Sequence, residues 1–346
     1  MEPEDVRTII EGLFHANANL VEIEAHLKEI RRPGLIQGEI ERVCVVGAGA
    51  IGSLYAAHLA EVTDVVVLAR REEHAQALNE HGLRVSGRHD FTAQLDATTD
   101  PAELGHADLC IVATKATHLD QAVSALEGHL AGATVMTVQN GLGAEDVVRR
   151  YGDWPLISAV TFMSGNRRGD AEVEYILDTE TWLGPYGNTP YETVERTAEL
   201  LVRSGLNARP FEDLRPAQWS KLIFNATVNS VSALTHLPHG PHFADRGSTD
   251  ALGHLVRELV EEGQRVAAAA GVDLHDDPWE MNVLATQRGS AHVPSMLEDI
   301  VAGRPTEIDL ITGAVVREAE RTRVPVPLHE AMYALVRAKE QACVSR

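Results

Sequence analysis

The sequence predicts an α/β chain: a doubly wound, largely parallel sheet followed by an all-helical C-terminal domain. Three observations predict it. From Glu41 to about residue 210, short β-branched runs alternate with helical segments. A glycine-rich turn joins the first such strand to the first such helix. Beyond residue 210 the strand-like runs stop, and apolar residues recur with helical spacing to the C-terminus. Strand–helix alternation implies right-handed βαβ crossovers and therefore parallel pairing.

The elements follow in order. RVCVV reads as a strand, SLYAAHLAE as a helix, DVVVLA as a second strand and REEHAQALNEHG as a second helix. LRVSG and FTAQLDA suggest a hairpin excursion. ADLCIVAT, THLDQAVSALEGHL and ATVMTVQN continue as strand, helix, strand, and PLISAVTFM, EVEYI and TETWLG are expected to extend the sheet. YETVERTAELLVRSG closes this part as a helix. The boundary falls near FEDLRP, just before the helical segment KLIFNATVNS. Residues 1–40 stand apart: VRTIIEGLFHANANLVEIEAHLKEI has the spacing of one or two amphipathic helices, and RRPGL ends it. The expected organisation is a helical extension over 1–40, a dinucleotide-binding domain over 41–210 and a helical substrate and dimerisation domain over 211–346.

Composition narrows the function. The 346 residues include 51 acidic against 30 basic side chains, a formal charge of −21, with 44% hydrophobic residues. That balance excludes nucleic acid and anionic membrane as expected partners, because both need a basic footprint. Cys44 and Cys110 sit in apolar runs, and with Cys343 they show no spacing of a disulfide framework or zinc site. The acidic start MEPED lacks a secretory pattern, and no apolar run reaches the roughly 18 residues of a membrane span. A reduced, cytoplasmic setting is expected.

Gly47-Ala48-Gly49-Ala50-Ile51-Gly52 matches G-x-G-x-x-G after a strand and before a helix, the Rossmann-type context for a dinucleotide. There, glycines permit a tight turn, close approach of a pyrophosphate and close helix packing, and the helix N-terminus favours an anion. The second strand runs into Arg70 and Arg71 rather than an acidic residue. A guanidinium suits a 2′-phosphate, so NADPH is favoured over NAD, with Glu72 and Glu73 as the alternative ribose contacts. Lys115 and Asn140 end strands, where ligands bind in such sheets. Asn140 precedes Gly141, so a plain turn residue is the other reading.

In KLIFNATVNS, Lys221, Asn225 and Asn229 recur every four residues and share one helix face, amid the apolar Leu222, Ile223, Phe224 and Val228. Such a stripe faces either solvent or a ligand at the domain junction.

Together GAGAIG, TKA at 114–116, QNG at 139–141, the K-x-x-x-N-x-x-x-N of 221–229, and SML-x-D at 295–299 with GRPTEID at 303–309 resemble the ketopantoate reductase (2-dehydropantoate 2-reductase) family, in order and spacing, from 42 to about 313. The resemblance implies NADPH-dependent reduction of a 2-keto acid. Lys221 then matches the lysine that protonates the carbonyl oxygen, Glu307 a catalytic and cofactor-side glutamate, Asn225 and Asn229 substrate-side carboxamides, Ser295 the substrate-holding serine, and Lys115 and Asn140 cofactor contacts. Hydride delivery builds negative charge on oxygen, and a partly desolvated ammonium can stabilise and then protonate it. Two positions depart from the family pattern. Pro238-His239-Gly240 stands for P-N-G, and His292 stands three residues before Ser295 in place of asparagine. Ketopantoate (2-dehydropantoate) is the default substrate, and imidazoles for carboxamides raise the alternative of a different, bulkier or aromatic 2-keto acid, with NAD use and the oxidative direction open. A cofactor-binding sensor without catalysis is the remote alternative. His236, His239 and His242 are interrupted by Pro238 and Pro241, so no metal site is expected. A homodimer is compatible with the residues.

Overall fold

The β-branched runs do form the predicted strands in the computed structural model, which describes residues 39–240, 243, 250–287 and 293–344. Strand β1 (Arg42–Val46) leads through the glycine turn into helix α1 (Ala50–Ala60), then β2 (Asp64–Leu68), α2 (Glu72–His81), β3 (Leu83–Gly87), β4 (Phe91–Ala93) and β5 (Asp96–Thr98). Next come β6 (Leu109–Val112), α3 (Ala116–Ser124), β7 (Thr134–Thr137), α4 (Ala144–Val148), β8 (Leu156–Thr161), β9 (Ser164–Arg167), β10 (Glu172–Leu177), β11 (Thr181–Tyr186), α5 (Tyr191–Arg203) and β12 (Ala208–Pro210).

The main sheet has the order β12-β11-β8-β7-β6-β1-β2-β5. Only the β11–β8 pairing is antiparallel. Both faces are covered by apolar residues, as a central parallel sheet requires. One layer joins Val43, Val45 and Ile111 to α1, α2 and α5; the other joins Cys44, Cys110 and Val112 to α3 and α4. Cys44 and Cys110 are register partners on β1 and β6, buried and unbridged. The order reverses between β1 and β6, so the crevice beyond their C-terminal ends is the switch point where ligands bind in such sheets.

One expectation is corrected. EVEYI does not extend the main sheet. As β10 it pairs parallel with β3 and antiparallel with β9, in a second sheet of order β4-β3-β10-β9. Alternating Val173 and Tyr175 mark a half-buried strand, but alternation does not say which strand it joins.

The helical part is built on α6 (Arg215–Thr235), which begins with Pro216 in its first turn and ends at His236 in the left-handed region, φ 61°. Around it pack α7 (Ala251–Ala269), α8 (Pro278–Gln287), α9 (Ser295–Val301), α10 (Thr312–Thr322) and α11 (Pro327–Val344). Their core unites Leu222, Ile223 and Ala226 of α6 with Val260, Ile300, Val315 and Val336. A helix surrounded in this way leaves few positions for polar side chains, and several of those on α6 meet specific partners, while Thr227 Oγ1 and Ser232 Oγ are buried without one. Ser230 and Thr312 meet through their hydroxyls at 2.7 Å. Among the described residues, no helix is long and apolar enough to cross a membrane. The predicted helices of residues 1–38, and His242 and His292, lie outside the described residues.

Candidate active site

The glycine turn has the shape that an anion requires. Gly47 has φ +94°, and a Cβ there would come 2.7 Å from Thr114 Cγ2, so the turn lies directly against the end of β6. A Cβ at Gly52 would come 1.9 Å from the carbonyl oxygen of Gly47, which is how α1 packs so close to its strand. Gly49 differs: a Cβ there would meet nothing within 4 Å. Its bare backbone faces open space, the cradle that a pyrophosphate would occupy. No side chain caps α1, and its first turn carries no acidic residue, so its positive end is uncompensated. The residues present therefore fit a dinucleotide.

At the end of β2 the two arginines diverge. Arg71 pairs with Asp170. Glu72 accepts a hydrogen bond from Thr99 Oγ1 at 2.7 Å, which turns it toward β5. Arg70 is exposed, with Nη1 3.4 Å from His118 Nε2. Of the four charged residues 70–73, Arg71 and Glu72 are thus engaged by neighbouring side chains, while Arg70 and Glu73 are exposed. Lys115, the residue before α3, forms an ion pair with Asp299 of α9, whose carboxylate also accepts from Arg304 Nε at 2.9 Å. Asp299 is 3% exposed while Lys115 is 43% exposed, so the carboxylate anchors the lysine and not the reverse.

Lys221 and Asn140 meet. Lys221 Nζ donates to Asn140 Oδ1 at 2.9 Å and to the main-chain oxygen of Thr161, at the end of β8. Its nitrogen also lies 5.0 Å from the centroid of the Phe162 ring. Burial pushes the ammonium's pKa down from its ordinary value to about 8, against the opposing pull of Glu307. Glu307 reaches the lysine through Asn140. Asn140 Nδ2 donates to Glu307 Oε2 at 3.2 Å, and the amide of Ala116, opening α3, donates to Oε1 at 2.9 Å. A chain of contacts thus runs from α6 through the β7 loop to the helical part's 306–311 segment and back to α3. The cavity beside the ammonium, about 10 Å³, is lined by Gln139, Asn140, Gly141, Gln218, Lys221 and Leu222. It has room for about one water, too little for a keto acid.

The chain of contacts depends on Gly141. Its φ is +96°, and a Cβ would come 1.8 Å from the carbonyl oxygen of Leu310; the next amide, Leu142, donates to that oxygen at 3.0 Å. Gln139 Nε2 ties the loop to Val112 and Thr114 at 2.9 and 3.0 Å. QNG is therefore a docking loop between sheet and helices, more than a permissive turn.

Other predicted residues are distributed unevenly. Asn225 is half-buried one turn beyond Lys221. Asn229 is buried, and its Oδ1 accepts from the amide of Met296 at 3.5 Å, so it holds the start of α9, where Ser295 is exposed. His239 is buried, with Nε2 2.9 Å from Asn282 Oδ1, and lies edge-on to Phe224 and Phe243. Reading the sequence missed Thr161 and Phe162, took Gly141 only as part of the QNG motif, and assigned Asp299 no partner. Asp299 lay within a quoted motif; nothing in the sequence joins Phe162 to Lys221.

Fold and cluster together define the class: an oxidoreductase with a Rossmann-type domain, whose helical C-terminal domain presents an ammonium beside the sheet's C-terminal edge. The chain belongs to the ketopantoate reductase family, whose description "Ketopantoate reductase PanE/ApbA" matches residues 43–188 and whose C-terminal counterpart matches residues 213–340. A 2-dehydropantoate 2-reductase of Streptococcus pyogenes is 32% identical over 303 residues, covering 86% of this chain and 97% of that protein. The crystal structure of a PanE/ApbA family ketopantoate reductase from Ralstonia eutropha is 29% identical, with TM-score 0.79, over 87% of this chain and 99% of that one. A D-mandelate dehydrogenase solved with NADH and anilino(oxo)acetate is 25% identical, with TM-score 0.77, over the same shares.

Proposed function

We propose that the protein reduces a 2-keto acid to the 2-hydroxy acid with NADPH, with 2-dehydropantoate as the first substrate to test. The observation that carries this reading is the placement of Lys221, whose ammonium is held at the C-terminal edge of the sheet by two neutral oxygens. A bound nicotinamide would supply hydride to the keto carbon. The protein's own part is to hold an acid where oxygen becomes negative. A pKa of about 8 leaves Lys221 protonated near neutrality yet a stronger acid than an exposed lysine. Asn140 fixes its direction, and Glu307 fixes Asn140. Asn225 and Ser295 are assigned to the substrate, the latter on a helix end steadied by Asn229. The Gly47–Gly52 turn is assigned to the pyrophosphate, Lys115 to the cofactor's ribose or phosphate, and Arg70 to the 2′-phosphate. The corresponding domains are 41–210 and 211–346, with 1–40 as an extension. The test is NADPH oxidation, followed by absorbance, with 2-dehydropantoate and a panel of 2-keto acids. No turnover with any member would defeat the reading.

A second reading is favoured by His239. Where the family pattern has asparagine, this ring is packed between Phe224 and Phe243, and its Nε2 is engaged by Asn282. A ring committed to buried aromatic packing in place of a carboxamide removes a polar group from that position, which suits a less polar or aryl substituent, and the D-mandelate dehydrogenase likeness is consistent with it. Under this reading an aryl 2-keto acid has the higher kcat/KM, and NADH serves as well as NADPH.

A further inference from the structure

We propose that Phe162 is a positioning residue that holds the Lys221 ammonium against its ring face and thereby stabilises the charged form of the proton donor. The inference rests on Lys221 being that donor. The geometry is specific. One dipeptide makes two contacts: the carbonyl of Thr161 accepts from Nζ, and the ring of Phe162 lies 5.0 Å from it. A cation at this distance from a ring is attracted by the negative face, and more strongly where water is excluded.

The ring is braced from behind. Phe162 meets Trp182 edge-on at 6.1 Å; Trp182 meets Phe211 at 5.8 Å and His275 at 5.1 Å. The Arg209 guanidinium lies over Phe211 at 4.7 Å and pairs with Glu180 at 3.2 Å, and the Trp182 indole donates to the same carboxylate. Leu214 and Ala217, at and just after the start of α6, pack into this cluster. So the helix that carries Lys221 and the ring that faces it share one foundation. The charged groups around Lys221 are few. Glu307 faces it from the 306–311 segment, across Asn140, while Arg209, Glu180 and His275 lie on the far side of the aromatic cluster. Among the described residues, no carboxylate touches the ammonium directly, and the ring and the two oxygens are its immediate support.

The test replaces the ring and reads the alkaline limb of kcat/KM for 2-keto acid reduction. Phe162→Leu is expected to move that limb down by about 0.5–1 pH unit, because the ammonium loses its ring face. Phe162→Tyr, which keeps a π face, leaves it in place. Pentafluorophenylalanine introduced at 162 reverses the ring's electrostatics at nearly constant volume. It is expected to move the limb down as Leu does, so folding is not at issue. A limb that stays in place with the fluorinated ring overturns the proposal, whatever happens to the rate. Failure of the underlying reading looks different: Lys221→Ala would then retain the limb.

Discussion

Two lysines reach the boundary between sheet and helices, and they are held in opposite ways. Lys115 leaves the sheet and is gripped by Asp299, a buried carboxylate shared with Arg304. Lys221 leaves the helices and is gripped by an amide oxygen, a main-chain oxygen and a ring. A carboxylate fixes an ammonium and strongly favours its charged form; neutral oxygens and a ring fix it while favouring that form less. Hence burial can lower the pKa of Lys221 to about 8, with Glu307 kept one residue away. On the proposed reading, the neutrally ligated lysine is the proton donor and the ion-paired one a cofactor contact.

The largest expected effect comes from removing the second kind of lysine. Lys221→Ala is expected to lower kcat by about 10³-fold, the scale of losing a general acid and its charge together. Cofactor affinity, measured by fluorescence titration, stays near that of the wild type, because the glycine turn and Arg70 are untouched. Near-normal turnover would end the distinction between the two lysines.

Next is Glu307→Gln, which tests the distance between carboxylate and ammonium. Glu307 raises the pKa of Lys221, so neutralising it lowers that value further. Reduction needs the protonated amine, so the alkaline limb of the rate profile moves to lower pH. Gln also cannot accept from both Asn140 and Ala116, and a fall in kcat of roughly 10- to 100-fold is expected at neutral pH. A limb that moves upward would show that Glu307 does not act on the lysine as a charge.

Much of the sheet was legible because parallel strands buried on both faces read as unbroken β-branched runs, as in RVCVV and DVVVLA. The glycine turn was legible because its chemistry is local: strand, turn and helix are contiguous. EVEYI was placed in the wrong sheet, since β10 pairs with β3 from far along the chain and nothing in either run names the other. The same limit governs the site. Lys221 and Asn140 could each be singled out, but their hydrogen bond and the role of Phe162 arise where β7, β8 and α6 converge. Asn229 shared a face with Lys221 in the pattern, yet two turns along a helix carry it to the start of α9, inside the helical core.

Asp299→Ala sharpens the comparison from the other side. It releases Lys115 and Arg304, both half-exposed, so water can solvate them and folding survives. Affinity for NADPH is expected to fall about tenfold, because a lysine no longer anchored must be ordered by the ligand. The kcat at saturating cofactor changes little, and a large fall in kcat would place Asp299 with the chemistry instead.

An effect no larger than this concerns the arginine pair at the end of β2, where the same logic recurs. Arg71 is held by Asp170, whereas Arg70 is exposed beside His118. By analogy with the lysines, the carboxylate-bound arginine is structural and the other is free to meet a phosphate. Arg70→Ala should weaken NADPH binding about tenfold while leaving NADH unchanged, and the difference should shrink with added salt, since an exposed charge is screened. Arg71→Ala should alter neither preference, only the packing of α2 against the β9–β10 turn. If Arg70→Ala weakened both cofactors equally, the arginine would be reading the shared diphosphate rather than the 2′-phosphate. The preference for NADPH would then lose its support in this sequence, and the NADH reading would take its place.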